Sequence, residues 1–317
     1  MGTNTPKKHR TQGPLPRSGS AARNDARRPW WVAAASAGIL LAVAGVVLAA
    51  FRPGGSRSSL PIEGLPRTSD YHSLLVAPRD PRALVLGTHE GLFRSGNGGR
   101  TWAKAELDGK DAMNLVRSTK DVVWAAGHSV LAKSTDGGAS WEDVRPSGLP
   151  SLDVHGFAVD PRDPGTVYAA IAGEGLFRSI DDGRTFEVRS RDVGPGVMAL
   201  VVLSDGKLLA GDLQRRVLAV SANEGTDWTN IVEATVLGLA LNPAQPRLVL
   251  ASGLGVLRSA DGGRTWAQAV QLDAGSGPIA WSQSDPDVAY VVGLDSSLWR
   301  SDDAGKTWSE AVPGAKG

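Results

Sequence analysis

The stretch SADGGRTW, Ser259 to Trp266, recurs five more times: SGNGGRTW from Ser95 to Trp102, STDGGASW from Ser134 to Trp141, SIDDGRTF from Ser179 to Phe186, SANEGTDW from Ser221 to Trp228 and SDDAGKTW from Ser301 to Trp308. Every copy has serine first and Asp or Asn third (Asn97, Asp136, Asp181, Asn223, Asp261, Asp303). Glycine is fifth (Gly99, Gly138, Gly183, Gly225, Gly263, Gly305) and an aromatic is last. The serines return every 38 to 45 residues. Such a period describes an array of units, each too thin to bury its own apolar face.

Each copy lies between two short apolar runs and so reads as a strand–turn–strand corner. The third-position side chain can accept hydrogen bonds from turn N–H groups. The glycine supplies a positive φ, and the aromatic is large enough to wedge between units. An EF-hand calcium loop needs a Glu at its twelfth position, which the copies do not supply consistently. The flanks repeat as well: HSLLVAPRDP, ALVLGT and GLFRS precede the first turn, and HGFAVDPRDP, TVYAAI and GLFRS the third. The unit is therefore four short strands parted by Gly, Pro and Asp. Such units arranged radially predict an all-β, six-bladed β-propeller over residues 69–317.

The repeated phrase resembles the Asp-box, or BNR repeat, of sialidase-like propellers, over roughly residues 70–312. It is similar to the repeats of sortilin-type receptors, xyloglucan-degrading enzymes and photosystem II assembly factor propellers. The wording VHGFAVDPRDP with GTHEGLFRS most resembles bacterial membrane-anchored, glycosyl hydrolase-like propellers of unassigned activity. The resemblance implies a fold and leaves activity open.

The N-terminal residues are of another kind. Residues 1–29 hold seven Lys/Arg against the single Asp25, without apolar periodicity, and read as a disordered basic cytoplasmic tail. Residues 30–51, WWVAAASAGILLAVAGVVLAAF, are uncharged; as a helix of 22 residues they would reach about 33 Å, enough to cross a bilayer core. The basic flank and the Trp30–Trp31 pair predict a single-pass signal anchor with the N-terminus cytoplasmic and the propeller outside the cell membrane. The alternative is secretion after signal cleavage near Ala49 or Ala50. Residues 52–68 read as a stalk, with Leu60–Ile62 as an extra edge strand.

Residues 52–317 carry a net charge of −5, which argues against a nucleic-acid partner. The absence of cysteine excludes disulfides, a thiol nucleophile and cysteine metal sites.

In a propeller, the turns between third and fourth strands share one face. Asp boxes therefore occupy the bottom, and a site is expected on top. His72 and His155 begin the innermost strands of blades one and three. His89 and His128 each stand six residues before a box serine, in the second loops of blades one and two. All four fall on the top face within three adjacent blades. Gly173, Arg215, Gly253 and Asp295 stand at the second position in the other blades, so the repeat does not demand histidine there. The functional reading is a site for a metal, an anion or a sugar, with Tyr71, Asp70, Glu90 and Glu174 nearby. The structural reading is duplication plus rim hydrogen bonding.

A sialidase resemblance would imply an arginine triad, a Tyr nucleophile with Glu, and an Asp acid. Here Phe51-Arg52-Pro53 lacks the isoleucine of the family's Phe-Arg-Ile-Pro motif, and Arg94, Arg178, Arg258 and Arg300 all precede box serines as repeat elements. Gly127-His128-Ser129 lies between strands and does not make a nucleophile elbow. Other glycosidases need a carboxylate pair, which sequence cannot assemble.

The sequence thus predicts a membrane-anchored platform that binds a protein, carbohydrate or small ligand. Glycoside hydrolysis opposite the Asp boxes is the alternative, and metal binding through the histidines the second. No cofactor is required, and a divalent metal is the one that the residues would take. The metal reading expects three imidazoles within reach of one point. The hydrolase reading expects two carboxylates and an arginine in a pocket.

Overall fold

The computed structural model describes residues 1–2, 71–192 and 196–313. The tail, the membrane-span and stalk assignments and Asp70 lie outside the described residues. Among the described residues no helix is long and apolar enough to cross a membrane.

Six four-stranded antiparallel sheets form the ring, each built from consecutive strands. Blade 2 comprises Asp111–Arg117, Val123–His128, Val130–Ser134 and Glu142–Asp143. Blade 3 comprises Val154–Asp160, Asp163–Ile171, Gly175–Ser179 and Glu187–Ser190. Blade 1 begins with Tyr71–Val76, and blade 6 ends with Ser309–Val312. The six first strands line a central channel of about 520 Å³. Burial follows position in the blade. The first strand of blade 3 is buried at all seven residues, whereas the fourth strands of blades 1 and 2 are exposed pairs, Ala103–Lys104 and Glu142–Asp143. Short charged outer strands protect the rim from edge-to-edge pairing.

The box works as its residue types predict. In blade 5, Ser259 Oγ accepts the Gly263 N–H at 2.8 Å and donates to Asp261 Oδ1 at 2.8 Å. Asp261 Oδ1 also accepts the Thr265 N–H at 3.0 Å, and Trp266 Nε1 donates to the Gly263 carbonyl at 2.9 Å. Gly225 shows why the fifth residue is glycine: its φ is +86°, and an added Cβ would lie 2.1 Å from Leu176 of the preceding blade. The turn and the blade seam are thus set by one residue. The boxes also rest on the loop between the first two strands, as where Gly98 N–H donates to the Arg82 carbonyl at 2.8 Å.

No strand is exchanged to close the ring among the described residues. Blades 1 and 6 instead share one core cluster with Tyr71, Leu86, Trp102, Tyr290 and Leu298. Ser296 Oγ donates to Tyr71 Oη at 3.2 Å across that seam.

The box carboxylates give the fold an acid limit. The Thr185 hydroxyl and N–H hold Asp181 at about 2, and the Thr307 N–H leads in holding Asp303 at about 2. These folded values lie below the unfolded value of about 3.9, so the contribution is complete above that pH and is lost as pH falls through about 2. Asn97 and Asn223 make the same turn contacts without titrating. The double variant Asp181→Asn, Asp303→Asn is therefore expected to fold and to show a shallower loss of structure between about pH 4 and 2. Circular dichroism on acid titration checks this; an unchanged slope would refute it.

Candidate metal site on the top face

The four propeller histidines do converge, but as two pairs joined by aspartates. His72 Nε2 lies 3.0 Å from His89 Nε2, and His128 Nε2 lies 3.2 Å from His155 Nε2. Asp111 stands between the pairs: its Oδ2 lies 2.8 Å from His89 Nδ1 and 2.5 Å from His128 Nδ1. Asp153 completes the second pair, with Oδ1 3.1 Å from His128 Nε2 and 3.2 Å from His155 Nε2. No single point is met by three imidazoles. Two triads result instead, His72–His89–Asp111 and His128–Asp153–His155, each two imidazoles and a carboxylate.

The backbone fixes this geometry at the seam of blades 2 and 3. Asn114, in the first strand of blade 2, donates to the His155 carbonyl at 3.2 Å and accepts the Phe157 N–H at 3.2 Å. Ser129, φ +58°, donates its N–H to the Leu152 carbonyl at 2.8 Å, which draws the loop bearing His128 against the start of blade 3. Gly127 allows the close approach: a Cβ there would lie 1.9 Å from the Asp111 carbonyl oxygen.

Electrostatics then select protonation states. Burial works to raise the Asp111 pKa, but contacts from His128 and His89, with His72 nearby, outweigh it and hold the carboxyl well below its usual range. An ionised carboxylate only accepts, so both Nδ1 atoms carry hydrogens and both Nε2 atoms face away from Asp111. His128 and then His155 hold Asp153 low. His128 is pushed up to about 9, by Asp111 first and Asp153 second.

The second triad is compact. Asp153 Oδ1 is buried within 3.2 Å of two ring nitrogens. The three donor atoms are 3.1, 3.2 and 3.2 Å apart. The edge of a tetrahedron with metal–ligand bonds of 2.0–2.1 Å is about 3.3–3.4 Å. The three separations are close to those of one face of such a tetrahedron.

The other sequence candidates are not drawn in. Tyr71 is 7% exposed and belongs to the closing seam with blade 6. Glu90 is exposed beside His89 and is in neither triad. Glu174 lies 3.8 Å from Arg191 at the edge of blade 3. Sequence reasoning missed Asp111 and Asp153. The signal for Asp111 is its register: the equivalent positions opposite the end of the second strand hold Tyr71, Val154, Val197, Val236 and Ser276. A carboxylate at a position otherwise held by an apolar residue, a tyrosine or a serine marks a specific role.

The BNR/Asp-box repeat family profile matches residues 299–310, a stretch that includes the sixth copy. No curated protein sequence matches the chain. Among solved structures, the chain is similar to a propeller in a nidogen/laminin complex (TM-score 0.56, 17% identity, covering 73% of this chain and 93% of that one). It is also similar to YCF48 bound to D1 peptide (TM-score 0.50, 17% identity, 81% and 88% covered). A third likeness is to the GH74 enzyme of Niastella koreensis (TM-score 0.50, 17% identity, 75% of this chain); there the chain spans 46% of the longer protein. At these identities the likeness is one of fold. Blade architecture and structural likeness agree: the chain is a six-bladed β-propeller, and its last turn matches the BNR/Asp-box repeat.

Proposed function

We propose that this propeller is a metal-binding platform whose top face holds a divalent transition metal on His128 Nε2, His155 Nε2 and Asp153 Oδ1. The observation that carries the reading is the convergence of three donor atoms, His128 Nε2, His155 Nε2 and the buried Asp153 Oδ1, at mutual separations of 3.1, 3.2 and 3.2 Å. Two imidazoles and one carboxylate favour zinc or a neighbouring first-row metal over calcium or magnesium. Asp111, on the Nδ1–H of His128, orients that ring and raises its basicity, the part a carboxylate plays behind a metal-bound histidine. Three protein ligands leave a fourth position for water or for a donor atom of a partner. The platform is tethered outside a membrane in this reading, which rests on the uncharged run 30–51.

Hydrolysis of glycosides finds less support in the geometry. Asp111 and Asp153 are engaged with imidazoles, neither triad includes an arginine, and Tyr71 lies in the closing seam.

The test is a Zn²⁺ titration of the full chain after chelator treatment. Saturable binding is expected, with proton release as His128 gives up its Nε2 hydrogen, and with higher thermal stability in zinc. A chain that binds no zinc and melts at the same temperature with and without it would refute the reading.

A further inference from the structure

We propose that the central channel binds one anionic amphiphile, a medium-chain carboxylate such as decanoate, with its apolar tail between the first strands and its carboxylate on Arg117 at the bottom end. None of the three proposed metal ligands lines the channel, so this site does not depend on the metal.

Two observations support it, and the first is the character of the wall. First strands of six residues, such as Tyr71–Val76, rise about 3.3 Å per residue and give a channel about 20 Å long. Leu75, Val116, Met198, Val201 and Leu239, from blades 1, 2, 4 and 5, line it and are each only half-buried. Apolar surface left open inside a ring is stabilised when an apolar ligand displaces the water against it. The volume of about 520 Å³ lies in the range of small-molecule sites, roughly 300–1,000 Å³. A ten-carbon chain, at no more than about 1.5 Å per carbon, fits the length.

The second observation is Arg117, which ends the first strand of blade 2 and lines the channel. It stands opposite Val123, the second-strand residue that pairs with the box serine Ser134. The same register position holds Val76, Val159, Val202, Leu241 and Trp281 in the other blades. The repeat thus asks for an apolar residue there, and blade 2 alone supplies a charge. Arg117 Nη1 donates to the Lys120 carbonyl at 2.7 Å. Its Nε is buried without a hydrogen-bond partner, and the guanidinium forms no ion pair among the described residues. Burial leads in lowering its pKa, against the opposing charge of Asp121. A partly buried cation is costly to leave uncompensated, and a carboxylate can meet a guanidinium through two parallel hydrogen bonds. A carboxylate on an apolar tail answers both the wall and Arg117; an inorganic anion answers only the second. A water-filled channel with Arg117 solvated at its mouth is the rival account.

The experiment is calorimetric titration of the full chain, and of its Arg117→Met variant, with acetate, octanoate and decanoate below their micelle-forming concentrations. Partition into any surrounding amphiphile is common to both proteins, so the difference between them reads the channel. The wild type is expected to bind one decanoate, with affinity rising about fourfold per added methylene from octanoate to decanoate. Arg117→Met is expected to bind it at least about tenfold more weakly. Methionine is apolar, like the residues at this position in the other five blades, so the variant is expected to fold; Arg117→Gln repeats the test should it not. Equal decanoate affinity in wild type and variant overturns the proposal. So does a wild type that binds no decanoate saturably, or one that binds acetate as tightly. None of these results bears on the zinc titration.

Discussion

Changing His155 to glutamine is expected to weaken zinc binding by about 100-fold or more, because loss of an outer partner of a ligand alone costs roughly 10–100-fold. Glutamine nearly fills the space of the imidazole, which matters at a side chain 6% exposed. The Asn114 contacts that hold the local strand are to the backbone of residues 154, 155 and 157, and survive the change. The melting temperature of the metal-free variant should therefore stay near that of the wild type while its stabilisation by zinc disappears. Asp111→Asn is the companion measurement. Its amide oxygen can still accept one Nδ1–H but offers no charge, so affinity is expected to fall by roughly 10–100-fold without loss of the site. Competition with a chromophoric chelator measures both. Wild-type affinity in His155→Gln would show that the triad does not bind the metal.

The histidines were legible because a repeat exposes departures from itself. His89 and His128 stand where Gly173, Arg215, Gly253 and Asp295 stand in the other blades, and that comparison placed them on one face. Their partners were harder to read. Asp111 and Asp153 are two among many aspartates in a chain whose turns are made of aspartate, and nothing in their local spacing separates them from Asp-box or loop carboxylates. Only the pairing register shows that Asp111 stands opposite His128 at a strand start. Tyr71 shows the converse. Beside His72 it reads as site chemistry, but the strand register shifts between Tyr71 and Ser73, so simple alternation does not place these two side chains. His72 joins the triad while Tyr71 enters the seam with blade 6. How blades 1 and 6 close on each other is a long-range fact that no repeat unit encodes.

The seam below the second triad sets the other large expectation. Trp124, in the second strand of blade 2, is 0% exposed and stands 5.5 Å, centroid to centroid, from Phe157 of blade 3. The Lys133 ammonium sits 5.0 Å from the indole centroid and pairs with Asp182 of blade 3. Gly183 of the third Asp box leaves room for the ring edge; a Cβ there would lie 2.8 Å from it. The indole thus joins a first-strand aromatic, an interblade ion pair and a box glycine into one contact. Trp124→Ala is expected to cost about 3–5 kcal/mol. For a domain of this size that lowers the melting temperature by about 10 °C. Trp124 Nε1 is buried without a hydrogen-bond partner, so the residue acts by volume, and Trp124→Phe should recover most of the loss. Because His128 ends the same strand and His155 lies across the same seam, the alanine variant should also bind zinc more weakly, although Trp124 is in neither triad. A melting temperature within about 2 °C of the wild type would mean that the blade 2–3 seam repacks without the indole. Unaltered zinc affinity in a destabilised variant would instead place the geometry of the site in the Asn114 backbone contacts alone.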